Sequence, residues 1–510
     1  MEIKKKLIQN TSINYLSNFI NIGLGFVLFP FIIHRVGSEL FGIYLLIITL
    51  SGYLTMMEVG VGTTTVKYIS QHLAKDEKKE INELVINSLL FYILVGFTTA
   101  GFLILIAFYF INIFKIPSTF LILTKNALII SSLALLINWP LSLFRKMLEG
   151  KQEYVFTSGL VTIFAVIRFA TIVLFLEKSN NALLFLIIVN FSFQILLNFI
   201  FAIYSFKSLS FLRLHFNLIS KKVFKKIFSF SWVLFIIHIC GMLVYSTDKI
   251  IIGIFLPISS MVLYEAAFKF HNLIRTINSL SSSAVIPAAS SLNAKGDFTK
   301  IKKLFLQGSK YTTIIVLPCT VVIIVFAKYI INFWLGSDYN SVIFPMQLFV
   351  SYWALNCSFA LGGSVLIAIN KMKNILWYSI CGAVGNLILS LILVSYMRNV
   401  VAVIWGTVIP YFIGYPIFLY FFLKLTKISF GEFINEIILK TYPYIGILAI
   451  IGILISRFSP PNNLIETILY MGILVLLYWG IVLFKGISVG EREDFRFIIL
   501  DCLGIRRKSI

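Results

Sequence analysis

The run from Leu89 to Phe110, LLFYILVGFTTAGFLILIAFYF, carries no charge over twenty-two residues. As an α-helix it is long enough to cross about 30 Å of hydrocarbon. It is apolar on every face, so it cannot be a barrel strand, which would alternate apolar and polar residues over about ten positions. Runs of the same kind fill the chain. The expected spans lie near 12–33, 41–64, 84–110, 121–142, 156–176, 183–205, 228–254, 260–288, 311–334, 344–368, 375–396, 401–423, 443–457 and 464–484. Of 510 residues, 59% are hydrophobic and only 13% charged, with a mean hydropathy of +0.95. The reading is an all-α polytopic membrane protein of about 14 transmembrane helices.

Lysines and arginines sort to one side of these spans. Lys4 to Lys6, Lys75 to Lys79, Arg145 to Lys151, Lys207 to Lys226, Lys295 to Lys303, Lys371 and Lys373, Lys424 to Lys440 and the tail ending Arg506, Arg507, Lys508 all fall in alternate breaks. That side holds roughly 32 basic residues against about five on the other, where Arg35, Lys115, Lys178, Arg398 and Arg457 stand nearly alone. Inserting or deleting one span would destroy the bias, so it also supports the span count. By the positive-inside rule both termini are expected in the cytoplasm, with the basic start and first span retained rather than cleaved. The net charge of +22 is accounted for by this topology. No groove-reading motif or aromatic-interleaved basic patch points to nucleic acid.

Five cysteines, mostly inside apolar runs (Cys240, Cys319, Cys357, Cys381), have no metal-ligand or disulfide spacing. No Gly-rich loop ending in Gly-Lys-Ser or Gly-Lys-Thr is present, so ATP hydrolysis by this chain is not expected. The loops are too short to carry a paired-carboxylate glycosyl-transfer site. No catalytic residue is assigned, and no cofactor is expected.

A parallel repeat is visible at an offset of about 220 residues. The segment from Tyr44 to Asp76 matches the one from Tyr264 to Asp297, each ending in a charged turn. The expected organisation is an N-terminal six-helix lobe (1–206), a basic amphipathic linker (207–227), a C-terminal six-helix lobe (228–423), two additional helices (424–485) and a basic tail (486–510). In the linker, Lys221, Lys222, Lys225 and Lys226 alternate with Phe224, Ile227 and Phe228 at helical spacing, which suits either a helix lying on anionic headgroups or a plain topological anchor.

Charges inside spans are costly and mark water-lined cavities or buried pairs. Arg168 falls mid-span, Lys269 and Arg275 near the middle of the eighth span, and Glu58 in the inner half of the second. Asp248 and Lys249 are adjacent in the seventh, with His238 deeper and His271 in the eighth. Their net positive sign suits a phosphate or pyrophosphate group. The bland alternative is that Lys269 and Arg275 snorkel or pair with Glu265. Asn10, Asn14, Asn18 and Asn21 share one helical face, as do Glu265, Lys269, Asn272, Thr276, Ser279 and Ser283. Each stripe either lines an aqueous cavity or holds helices together. The substrate-cavity candidates are Arg168, Lys269, Arg275, Glu58, Asn14, Asn18 and Asn272; the ion-coupling or gating candidates are Asp248, Lys249 and Glu58.

Several segments together carry a family likeness. The run NTSINYLS from Asn10 to Ser17, PFIIHRVG from Pro30 to Gly37, Phe41-Gly42-Ile43-Tyr44 and Glu58-Val59-Gly60-Val61-Gly62 resemble the opening of polysaccharide-export flippases. These are the O-antigen and capsule-unit translocases of the multidrug/oligosaccharidyl-lipid/polysaccharide superfamily. Thr247 to Gly253, Tyr264 to Ala267, Ile286-Pro287 and Phe333 to Gly336 resemble its seventh to ninth spans. One departure is Glu58, at a position where Asp is expected. The resemblance implies two six-helix lobes around a central cavity, with two further helices, in a bacterial cytoplasmic (inner) membrane. It implies alternating access that moves an undecaprenyl-pyrophosphate-linked oligosaccharide to the outer leaflet, coupled to H+ or Na+, with membrane lipids and a polysaccharide polymerase complex as partners. The competing readings are a multidrug exporter of the same superfamily, a membrane glycosyltransferase or polysaccharide polymerase, and a non-transporting scaffold.

Overall fold

In the computed structural model, residues 2–54, 56–214, 216–221, 223–224, 241, 243–487 and 491 are described. Among them every regular element is helical, and no strand occurs. In hydrocarbon a helix satisfies its own backbone groups, and a sheet edge would not. Among the described residues eleven helices are long and apolar enough to span a bilayer. The fold is all-α and polytopic, as the sequence indicates, and the exact count of fourteen is not tested by the described residues. The second expected span is described as α2 (Ser38–Leu54) and α3 (Met56–Ala74). The seventh is described only as 241 and α8 (243–255), and His238 lies outside the described residues. The eighth, within α9 (Ser260–Ala294), is helical throughout, and Glu265, Lys269, His271 and Arg275 lower its mean hydropathy.

The chain forms two compact units. Residues 1–262 with 383–403 make the first, and residues 263–382 with 404–510 the second. In the first unit α5 (Leu121–Gly150) packs against α3, α4 (Lys78–Leu105) and α7 (Ala182–Ser208), while α1 (Glu2–Val36) lies on α6 (Tyr154–Phe175). Small residues set these separations. A Cβ on Gly96 would meet the Trp139 Cβ at 3.3 Å, and one on Gly150 would meet Ile69 at 2.9 Å. After α7, the backbone of residues 211–220 is strapped to α4 by two amides. Asn82 accepts from Arg213 N (2.9 Å) and donates to Phe211 O (3.3 Å); Asn87 accepts from Ser220 N (3.0 Å) and donates to Leu218 O (3.1 Å). The linker is therefore pinned at Phe211, Arg213, Leu218 and Ser220. Of its expected amphipathic helix, 221 and 223–224 are helical, and 225–228 lie outside the described residues.

In the second unit α10 (Phe298–Val325) is the hub, packed by α12 (Ile343–Ser351), α18 (Leu439–Phe458) and α19 (Leu464–Lys485). Polar side chains bond these helices where apolar packing alone would leave rotation free. Trp479 donates to Ile314 O (2.9 Å), Tyr329 to Ser456 O (2.6 Å) and Tyr478 to Thr441 O (3.2 Å). Lys310 of α10, 1% exposed, pairs with Glu491 at 2.5 Å. Such a pair is tolerable only because the buried ammonium meets a carboxylate directly. At the start of α10, Asp297 accepts from Lys300 N (3.1 Å) and from its ammonium (2.8 Å). The Lys300 side chain and backbone hold the Asp297 carboxyl below the ordinary aspartate range.

One expected span is broken. The apolar run 344–368 predicts one helix; it forms α12, then α13 (Trp353–Asn356), a 3-10 turn at Cys357–Phe359 and α14 (Gly362–Ala368). The Phe359 ring folds back to 2.0 Å from where a Gly362 Cβ would lie, a path open only beside glycine.

The repeat is legible in the turns. Asp76, Gln152, Gly296 and Asn370 all have positive φ after a helix. In each case the next amide bonds the carbonyl five residues back: Glu77 N to His72 O, Glu153 N to Leu148 O, Asp297 N to Leu292 O and Lys371 N to Leu366 O. These are Schellman caps. The first and third turns are 220 residues apart and the second and fourth 218 apart, so a second matched pair joins the one seen in sequence.

Gly42 of α2 passes the Ile258 carbonyl so closely that a Cβ would sit 2.3 Å from the oxygen. Gly42→Ala is expected to force the two segments apart and destabilise the protein by about 1–3 kcal/mol. A lowered thermal midpoint of the detergent-purified variant checks this; an unchanged midpoint contradicts it.

Candidate functional site

Arg168 stands on α6, half-buried, and its Nη1 donates to the Asn190 side-chain oxygen on α7 at 2.9 Å. Asn190 is a neutral amide, so it orients the guanidinium without cancelling its charge. Among the described residues Arg168 makes no ion pair, and the other guanidinium donors remain for a ligand or water.

On the same unit the asparagine face of α1 divides into two roles. Asn10 donates to Gln152 O (3.4 Å), the Asn14 side-chain oxygen accepts from Ser158 Oγ, and Asn21 donates to Ser17 O (2.8 Å). Ser17 donates to Ser158 O (3.3 Å) and accepts from Thr162 Oγ1 (2.8 Å). Asn14 is thus taken up in a polar seam between α1 and α6. Asn18, one step round the helix, is exposed.

Asp248 is wholly buried in the first unit. Asn386 Nδ2 and Ser390 Oγ of α15 (Met372–Met397) each donate to its Oδ1 at 3.5 Å, and Ser390 also lies 3.4 Å from Val403 O. Beside it Tyr53 and Thr247 share a hydrogen bond of 2.6 Å. A carboxylate placed this deep needs polar company, and the cluster offers oxygen atoms to a small cation or a proton. Lys249, the next residue, is half-buried. Sequence reading missed Asn386 and Ser390. Their signal was a spacing of four within the otherwise apolar run 380–394.

In the second unit α9 has two faces. Tyr264, Ala267, His271, Ile274 and Asn278 are buried, whereas Glu265, Lys269, Asn272 and Thr276 are half-buried and Ser279 is exposed. At the helical step of 100° per residue the faces lie roughly 140° apart, so the polar stripe points away from the core of its own unit. Arg275 is not on that stripe. It lies roughly 120° round from Lys269 and one turn beyond His271; Lys269 and Arg275 are both engaged by neighbouring groups. His271 is enclosed by Phe268, Phe349, Tyr352 and Trp353, and the Trp353 indole donates to its Nδ1 at 3.3 Å. It is a buried core histidine ringed by aromatic side chains. Glu58 lies on α3, with its side chain outside the described atoms.

Long apolar helices, with a polar helix face and an uncancelled arginine among them, define a polytopic membrane protein. Among solved structures the chain resembles a lipid II flippase, MurJ, in an inward closed conformation, with a TM-score of 0.71 at 17% identity over 93% of this chain and 98% of that one. It also resembles an inward-facing multidrug resistance MATE family transporter of the MOP superfamily, with a TM-score of 0.68 at 14% identity over 83% and 99%. The polysaccharide biosynthesis protein family matches residues 7–293, and the chain belongs to that family. No curated protein matches it.

The seam between α1 and α6 gives a measurable coupling. In a double-mutant cycle, Asn14→Ala and Ser158→Ala are expected to be non-additive by about 0.5–1.5 kcal/mol in thermal or denaturant unfolding. Simple additivity would remove the seam from the account.

Proposed function

We propose that this chain is a flippase for polyprenyl-pyrophosphate-linked oligosaccharides, an O-antigen or capsule repeat unit, working by alternating access. Arg168 carries the reading. A guanidinium held inside the spans by a neutral amide, with no acid bonded to it, keeps its charge for an anionic headgroup. The polar stripe of α9, with Lys269 and Asn272, offers the hydrogen bonds that sugar hydroxyls need, while the prenyl tail stays in lipid. Membership of a polysaccharide biosynthesis family and a fold shared with a protein titled as a lipid II flippase point the same way. The family resemblance implies transport from the inner to the outer leaflet, and the positive-inside rule would put the basic loops on the cytoplasmic side.

Arg168→Ala and Lys269→Ala, expressed at normal levels, are expected to abolish complementation of a flippase-deficient strain. Full export of surface polysaccharide by both variants would exclude both residues from substrate handling. The fold shared with a MATE transporter supports one rival, a multidrug exporter. Drug accumulation that depends on the protein, with no export defect in its absence, would favour that rival.

Coupling to H+ or Na+ is assigned to Asp248, on the strength of its burial beside Asn386 and Ser390. Asp248→Asn keeps the shape and removes the exchangeable charge. It is expected to leave substrate binding intact while eliminating dependence of transport on the ion gradient in proteoliposomes; gradient-driven transport at the wild-type rate would exclude Asp248.

A further inference from the structure

Two apolar recesses lie side by side at the basic end of the second unit, and neither belongs to the transport reading above. The first, about 260 Å³, lies among Ile301, Phe305, Val365, Phe422 and Ile428, with Lys302 and Lys427 in its lining. The second, about 530 Å³, lies among Leu419, Tyr420, Leu423, Ile428 and Phe430, with Lys424. Ile428 is a wall of both. The core beneath them is continuous, formed by Phe305, Phe359, Leu419, Phe422 and Phe433.

The three lysines are not equivalent. Lys302 is bonded to Glu432 at 2.7 Å, so its charge is met within the protein. Lys424 and Lys427 are exposed, and among the described residues neither makes an ion pair or side-chain hydrogen bond. Lys427 also occupies a left-handed turn, φ 55°, where Ile428 N bonds Leu423 O and closes α16 (Val400–Thr426). Glycine would take that conformation more easily, yet the position carries a cation. Upstream on α16, Ile413, Ile417, Tyr420 and Phe421 are 53–62% exposed along one face of a spanning helix. Such a face suits acyl chains, and it leads directly to the recesses and the two lysines at headgroup depth.

We propose that this end of the protein binds an anionic diacyl phospholipid, with one acyl chain in each recess and the phosphate on Lys424 and Lys427. Two apolar slots that share a wall match two chains on one glycerol, and a fatty acid would fill only one of them. Two cations without an acid favour a headgroup with net negative charge over a zwitterion, whose own cation would face the lysines.

The test is native mass spectrometry of the full-length protein in detergent, titrated with dioleoyl phosphatidylglycerol or dioleoyl phosphatidylcholine. Wild type is expected to retain phosphatidylglycerol preferentially. Each lysine should contribute about fivefold in affinity, so the double variant Lys424→Gln/Lys427→Gln is expected to lose roughly 25-fold for phosphatidylglycerol and little for phosphatidylcholine. Lys427→Gly separates charge from fold. It relieves the left-handed turn, so its thermal midpoint should hold or rise, while phosphatidylglycerol binding falls about fivefold. Phe298→Asp, at a 65% exposed position lining the first recess, should weaken binding by placing an acid at the mouth. Equal retention of the two lipids by wild type, or Lys427→Gly binding like wild type, would overturn the proposal. Displacement of the lipid by inorganic phosphate at equal concentration would also overturn it, by assigning the lysines to a free anion.

Discussion

Hydrocarbon offers a backbone amide no partner, and that single constraint shapes almost every element of the protein. Each spanning segment must close its own hydrogen bonds, so every regular element among the described residues is a helix and the irregular turns gather at helix ends. Breaks deep in the chain occur where other groups replace the lost bonds. The segmented run between Ile343 and Ala368 is surrounded by buried aromatic rings, with Tyr442 donating to Ala354 O and the Ser358 and Tyr415 hydroxyls bonded to each other at 2.6 Å.

The same constraint makes polar side chains informative, because each must find company. Some are consumed in holding helices together. Asn10, Asn14 and Ser17 bond into or beside α6, Lys310 takes Glu491, and His271 takes the indole of Trp353. Others are oriented without being neutralised, Arg168 above all, and on these the proposed binding of a charged substrate rests. Asp248 is a third kind: a wholly buried carboxylate that an amide and a hydroxyl face.

Charge at the membrane surface follows different rules from charge within it. Most basic residues at the helix ends set orientation, and some are quenched locally, as Lys302 is by Glu432 and Lys300 by Asp297. Among the described residues Lys424 and Lys427 pair with no acid, beside two apolar hollows, which is why that surface is proposed as a lipid site and not as a topological anchor.

The sequence by itself determined the class. Long uncharged runs and one-sided lysines leave only a helical, multi-span membrane protein, because hydrophobic length and loop charge act locally and can be counted along the chain. The repeat was half legible, since the turn at Gly296 advertises itself while the matching turns at Gln152 and Asn370 use residues with no special mark. The roles of the polar residues were decided only by tertiary structure. Asn14 and Asn18 are one amide type a turn apart, and Lys269 and Arg275 are cations six residues apart; helix rotation and the neighbouring helix put one of each pair in a different environment from the other. Asn386 and Ser390 acquire meaning only because folding carries α15 to Asp248. Which buried charge is cancelled and which is kept depends on contacts between residues far apart in the chain, and no local pattern encodes those.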